Sequence, residues 1–419
     1  VDMYPYLLRP NQYTYVQRWR DSLSTAAYIT PGVTSSTKMM STNTIAVAWY
    51  YNKNVINAAG VDIEAMENWD DFISVCQQVK DFGYNYPLGV SIASQSYAGS
   101  QLSWLFRVYG DQFYRELYPD IQAKEGDYCY DSLISGYEYD EDEAVPEDNI
   151  TFNMNKLRLQ SLILDKDNSD YSGPTSARFK ELYENIFKMA PYIAPDAITT
   201  SDDLTGKFVN GGINDPVFYI DVLGFGSKFS SLVKDSQNPF ELGLFDFLPM
   251  DAQTAQTRTL RSLGGSSAWL AVRNSKDKKT NDMCVDFVSF FMSPYGQKVF
   301  IDALIETGSS MGGPTTVKDV TYPQEWADMY GNDAIKTNGL CDRNQFIPNL
   351  ICVYELYSNW NTTVYTDFVT VMKTYNGDSS GIDFFNRYYS TSLSNIEANN
   401  SKSGYRSKDV WKTPAVNPA

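Results

Sequence analysis

The chain has 419 residues, 43% of them hydrophobic and 20% charged, which is the composition of a globular protein with room for two or three domains rather than of a disordered chain. Asp plus Glu number 51 against 34 Lys plus Arg, and the resulting net charge of −17 repels phosphate backbones and anionic lipid surfaces, so nucleic acid is excluded as a partner. With no histidine in the sequence, the commonest metal ligand, the usual general base and the Ser-His-Asp triad are absent together.

Five cysteines, at 76, 129, 284, 341 and 352, are widely spaced and form no CxxC pair, so neither a zinc site nor a thioredoxin-like redox site is written here. Cys76 and Cys284 fall at apolar positions of helical patterns and are expected to be buried thiols. No apolar run approaches the ~20 residues that span a bilayer. The 31 Tyr, 22 Phe and 8 Trp suit surfaces that need an apolar face with a polar rim, although most are expected in cores and turns.

In chain order, residues 43–51 (NTIAVAWYY) read as a buried strand: short, apolar and flanked by polar residues. Asn68 is placed to cap a helix whose first turn carries Asp70 and Asp71, where the helix dipole favours negative charge. Trp69, Phe72, Ile73, Cys76 and Val79 then share one helical face, with Lys80 in the last turn and Gly83 as the stop. A second helix is expected from Ser100 through Trp104 to Gly110. The acidic runs at 138–148 (EYDEDEAVPED) and 165–170 (DKDNSD) lack the glycine and terminal glutamate of a twelve-residue calcium loop, so both read as solvated loops.

Further on, LGLFDFLPM (242–250) is strand-like, followed by a polar turn and SLGGSSAWLAV (262–272). Asn281 and Asp282 are expected to open a helix with Cys284, Phe287, Val288 and Phe291 on its buried face, and Ser293-Pro294 to cap and restart it. Val364, Phe368, Val371, Met372 and Tyr375 form a late stripe that Asn376-Gly377 ends. Strands alternating with helices of 10–15 residues indicate an α/β class. No internal repeat and no low-complexity tail is visible.

The order of these motifs resembles that of carbohydrate-type extracellular solute-binding proteins, the maltose-binding-like receptors of ABC importers. The landmarks are Tyr51-Asn52-Lys53 at a strand end, Ala59-Gly60, Trp69-Asp70-Asp71-Phe72, Gly83 to Pro87, FVNGG at 208–212, the stretch 263–300 and the turn from Thr307 to Pro314. Together they cover 51–314, well over half of the chain. The resemblance implies an α/β, type II-like periplasmic-binding-protein fold of two lobes. Lobe I is then residues 1–44 with 262–312, and lobe II is 45–261 with 313–419, with hinge crossings near 44–48, 258–264 and 310–316. Trp49 and Tyr50 should lie in a sheet buried on both faces, and Trp49 and Trp69 should be structural rather than sugar platforms. Family members carry further residues before a segment like VDMYPYLLRP. The expectation is therefore an N-terminally truncated copy whose first lobe lacks its first βαβ units.

The function implied is that of a non-catalytic receptor, a monomer that holds a sugar or oligosaccharide in an interlobe cleft and delivers it to ABC permease subunits. It would work at the outer face of the cell membrane, lipid-anchored, or in the periplasm. No cofactor or metal is expected. A sugar presents hydroxyls at its edges and C–H patches on its faces, so its site needs aromatic platforms and short polar side chains. By position, the resemblance points to Asn43 and Thr44 before the first crossing, and to Ser100, Gln101 and Trp104 at a cleft-facing helix start. It also points to Asp215, Tyr219 and Asp221 after FVNGG, to Gly264 and Gly265 on the return to lobe I, and to Tyr357 and Trp360 before the late helix. Trp104 is the leading stacking candidate, core packing being its other reading. Two alternatives remain open from the residues: a glycoside hydrolase acting through paired carboxylates, and a peptide or polyamine receptor of the same fold that would use Asp215 and Asp221.

Overall fold

The computed structural model of the chain describes residues 1–24, 27–28, 37–92, 101–116, 175–194, 201–223, 226–260, 268–324, 326–327 and 361–402. Its larger sheet is built around β2 (Val47–Asn52), the VAWYYN stretch, of which five of six residues are buried. The sheet has four strands in the order β3-β4-β2-β5, with β3 at Leu88–Gly89, β4 at Phe218–Val222 and β5 at Leu242–Phe245. β2 pairs antiparallel with both β4 and β5, and β3 pairs parallel with β4.

Side chains alternate across a strand, so β2 sends Val47, Trp49 and Tyr51 to one face and Ala48 and Tyr50 to the other. On the first face Trp49 meets Phe72 at a centroid distance of 4.9 Å and stacks on Phe245 at 6.5 Å. On the second face the Tyr50 ring stands edge-on to Phe229 at 5.0 Å. Both faces are covered, as the apolar run requires. Gly243 is demanded by the Tyr51 ring, whose carbons would stand 2.2 Å from any Cβ there.

Helices pack on both faces. In chain order they are α1 (Tyr4–Leu7), α2 (Lys53–Ala59), α3 (Trp69–Asp81), α4 (Gln101–Tyr114), α5 (Ala177–Phe187) and α6 (Ser201–Asn210). After these come α7 (Gly226–Lys234), α8 (Lys278–Phe291), α9 (Pro294–Glu306), α10 (Thr362–Thr374) and α11 (Ser380–Lys402). Asn52 ends β2 and caps α2 by accepting from the Val55 amide at 3.2 Å, and Gly60 closes α2 in the left-handed region at φ 69°. This is why the apolar run stops on Asn-Lys: the last strand residue is also the helix cap. α3 opens with a reciprocal capping box, the Asp71 amide on Asn68 Oδ1 at 2.9 Å and the Asn68 amide on Asp71 Oδ2 at 3.2 Å. Trp69 is buried and donates from its indole N–H to the Asn185 carbonyl at 2.8 Å, a structural role. Cys76 is buried on the same helix, and burial pushes its thiol well above the ordinary value.

A second, smaller ladder is separate from this sheet. β1 (Met40–Ser41) pairs antiparallel with β6 (Trp269–Leu270). Thr316 extends the ladder by donating from its amide to the Thr42 carbonyl at 3.1 Å, and Ser24 donates to the Thr316 carbonyl at 2.7 Å. Trp19, Leu23, Met40, Val285, Val288 and Met292 form its small core.

One expectation is corrected in α8. The helix starts at Lys278 on an Asp277 cap, a full turn before Asn281. Its buried side is Val285 and Val288, while Cys284 and Phe287 are exposed, Phe287 by 58%. Met283, Tyr295, Val299 and Ile305 are also exposed, so α8 and α9 carry an apolar outer surface among the described residues. Ser293 caps α9 as expected, with Pro294 in its first turn. No helix of the described residues is long and apolar enough to cross a membrane.

Candidate functional site

The candidate site is the junction through which residues 42–48 leave the smaller ladder and enter the larger sheet. Ala46 sits at its centre: its amide donates to the Gly312 carbonyl at 3.4 Å and its carbonyl accepts from the Leu223 amide at 2.8 Å. Thr44 is tied alongside, donating from its amide to the Pro314 carbonyl at 2.9 Å. Gly313 lies so close beneath that a Cβ on it would stand 2.3 Å from the Thr44 carbonyl oxygen. Asn43 is buried, with its amide nitrogen donating to the Thr44 carbonyl at 3.2 Å and its Oδ1 accepting from Thr42 Oγ1 at 3.4 Å. Tyr322 closes the opposite side: its hydroxyl accepts from the Thr315 amide at 2.9 Å, and burial pushes the phenol up to about 12.

β4 arrives at this junction with a polar cluster on its second face. Tyr219 and Asp221 are two residues apart on β4 and therefore share a side, and the Asp221 carboxylate is hydrogen-bonded to the Tyr219 phenol. Thr205 Oγ1 of α6 lies 2.7 Å from the same phenol, and Gln101 bonds it as well. Burial pushes the Tyr219 phenol far above its ordinary value, and the neighbouring carboxylate adds to that. Gln101, the first residue of α4, is wholly occupied: its Oε1 accepts from the Ser91 amide at 2.7 Å and its Nε2 donates to the Ile220 carbonyl at 2.6 Å.

The structure therefore brings Gln101, Tyr219 and Asp221 together and sets Asn43 and Thr44 on the crossing segment. It separates roles within that group. Gln101, Tyr219 and Asn43 are almost fully buried, whereas Thr44 and Asp221 keep a little exposure, 9% and 8%. Trp104, one turn into α4, is half-buried against the main core. Asp215 stands apart, before the start of β4, where it lines a separate cavity of about 320 Å³. Ser100, Gly264, Gly265, Tyr357 and Trp360 lie outside the described residues, as do the acidic runs at 138–148 and 165–170.

Sequence reasoning missed Thr205, Thr315 and Tyr322. A threonine in mid-helix and a tyrosine in an irregular segment give no local signal, and their partners are supplied only by the fold. Among the described residues no group of three or more His, Cys, Asp or Glu could hold a metal ion.

Solved structures of similar fold include solute-binding and sugar-binding proteins. A family 1 extracellular solute-binding protein from Bifidobacterium longum subsp. infantis aligns with a TM-score of 0.54 at 13% identity, over 93% of this chain and 80% of that one. The fold is that of a two-lobe solute-binding protein. A cyclic alpha-maltosyl-1,6-maltose binding protein from Arthrobacter globiformis shares this solute-binding fold at a TM-score of 0.53 and 14% identity, over 94% of this chain and 80% of the other. RafE, solved in complex with raffinose, does so at a TM-score of 0.50 and 14% identity, over 92% and 80%. No protein-family model and no curated protein sequence matches the chain.

Proposed function

We propose that this protein is a non-catalytic receptor that holds a sugar or oligosaccharide between two lobes and delivers it to the permease of an ABC importer. The observation that carries this reading is the shared two-lobe fold, whose solved examples include a maltosyl-maltose binding protein and a raffinose complex. The junction supports it. Two α/β bodies joined by crossing segments form a trough, and ligands gather at such interfaces and strand ends. In this reading the lobes are residues 1–44 with 262–312 and 45–261 with 313–419. They hinge about the segments that meet at Ala46, and the protein works as a monomer outside the cytoplasm.

Thr44, Asp221 and Trp104 would face the sugar, the first two with hydroxyl and carboxylate and the third with a ring. Gln101, Tyr219 and Asn43 would hold them in place, because all three are almost fully buried. Ser100, Gly264, Gly265, Tyr357 and Trp360 complete the proposed set.

A thermal-shift screen of mono- and oligosaccharides on the whole chain, followed by calorimetry, tests the reading. A ligand at 100 times its Kd stabilises by about 2.7 kcal/mol. The expected outcome is saturable binding, recovery of the sugar unchanged, and at least about tenfold weaker binding when Trp104→Ala is combined with Trp360→Ala, roughly 1.4 kcal/mol. Cleavage of the sugar would instead mark a hydrolase, and unchanged binding by the double variant would move the ligand away from the junction.

A further inference from the structure

The cavity beside Asp215 is separate from the junction. β4 runs from Phe218 towards Leu223, which bonds to Ala46, so Pro216 lies at the far end of the strand, about 20 Å from the junction at ~3.3 Å per residue. The cavity measures about 320 Å³, close to the lower limit for small-molecule pockets and enough for one six-membered ring.

Its floor is apolar, formed by Leu88, Leu204 and Pro216, and its rim is polar, with Tyr86, Asn214 and Asp215. The carboxylate is held in one orientation. Asp215 Oδ2 accepts from the Gly212 amide at 2.9 Å while the Asp215 amide donates to the Gly212 carbonyl at 2.9 Å. Gly212 has no room for a side chain, because a Cβ would stand 2.7 Å from that same oxygen. Asp215 Oδ1, the Tyr86 phenol and the Asn214 amide take no hydrogen bond from the described residues. Lys207 also lines the cavity, so the lining carries charges of both signs, which suits a neutral ligand over an anion or a cation.

We propose that this cavity is a second carbohydrate site, taking a single neutral sugar ring at the end of the sheet remote from the junction. A carboxylate oxygen and a carboxamide can together accept from and donate to adjacent hydroxyls. The Tyr86 ring and the apolar floor offer surface to the C–H face of a pyranose. The site does not depend on what the junction binds, and it assigns Asp215 to a ligand other than the one between the lobes.

The test is a titration of ¹⁵N-labelled protein with methyl α-D-glucopyranoside, methyl β-D-galactopyranoside and methyl β-D-xylopyranoside, followed by amide chemical shifts. At least one glycoside should shift the Gly212 and Asp215 amides saturably. Asn214→Ala, an exposed position that leaves the turn intact, and Tyr86→Ala should each weaken that response about tenfold. Trp104→Ala and Asp221→Asn should leave it unchanged. No saturable shift at these amides with any of the three glycosides would overturn the proposal. So would a response that survives Asn214→Ala and Tyr86→Ala, or one that disappears with Asp221→Asn. A second site that persists when the junction binds nothing would separate this proposal from the receptor reading.

Discussion

Gln101 donates from Nε2 to the carbonyl oxygen of Ile220 at 2.6 Å while accepting from the Ser91 amide, and so fastens the start of α4 to β4 and to the segment beyond β3. Both backbone partners are buried, and neither has water to turn to if the side chain is removed. Leaving a buried polar group unpaired costs about 1–3 kcal/mol. Gln101→Leu should therefore destabilise the protein by about 2–4 kcal/mol, read as a lower urea midpoint at unchanged slope. If the midpoint does not move, Gln101 is not a strut, and its place among the ligand-contacting residues has to be reconsidered.

Two glycines should respond with opposite sign to the same substitution. Gly313→Ala would drive a Cβ to 2.3 Å from the Thr44 oxygen and 2.8 Å from the Ala46 nitrogen. Both are backbone atoms of the crossing segment, so no rotamer relieves the contact, and the expected loss is about 2–3 kcal/mol. Gly206 lies inside α6 with nothing within 4 Å of the added carbon. There the methyl group lowers the entropy of the unfolded chain and favours the helix, so Gly206→Ala should stabilise by about 0.5–1 kcal/mol. Thermal unfolding of the two variants side by side checks both signs at once.

Elements marked by their own neighbours were readable in the sequence. VAWYY is apolar or aromatic at every position and lies in a sheet covered on both sides, and Asn68 and Ser293 each cap the helix that follows them. α8 was misread because Met283, Cys284, Val285, Phe287, Val288 and Phe291 put apolar groups around its circumference. Periodicity cannot choose a buried face when every face qualifies; Trp19 and Met40, far away in sequence, make the choice by packing on Val285 and Val288. The polar cluster is harder still. Gln101, Thr205, Tyr219 and Asp221 come from one strand and two different helices, and only the resemblance placed three of the four near one another. Thr205 had no such landmark.

The acid side of the stability curve should carry a signature of Glu181. Its carboxylate accepts from the Gln253 amide at 2.6 Å and the Thr254 amide at 2.8 Å, and from the Thr254 hydroxyl, tying α5 to the segment after β5. Burial pulls this carboxyl upward, but the Thr254 hydroxyl, the two amides and Arg258 together outweigh it and hold the group below its ordinary value of 4.5. A carboxyl depressed in the folded state contributes stability that is complete above the unfolded value and is lost as pH falls through the folded one. The gap in urea midpoint between wild type and Glu181→Gln should be full at neutral pH and close progressively below 4.5. A gap that is the same at both ends would show that the charge plays no part.

The corrected register of α8 makes a prediction that divides neighbouring residues. Cys284 is exposed and Cys76 is buried with its thiol pushed upward, so under native conditions an electrophile should modify Cys284 and reach Cys76 only on unfolding. Peptide mapping by mass spectrometry distinguishes the two sites. The same register makes Met283→Gln and Phe287→Gln nearly silent, within about 0.5 kcal/mol each, since neither side chain leaves a core. Val288→Gln should cost several times as much, because it places an amide among Trp19, Met40 and Met292 with no partner. The paired surface substitutions should also reduce binding of an apolar dye, because Phe287 and Met283 belong to the exposed surface of α8 and α9. Were Phe287→Gln to destabilise as strongly as Val288→Gln, the helix would have to be turned back towards the face that periodicity alone had suggested.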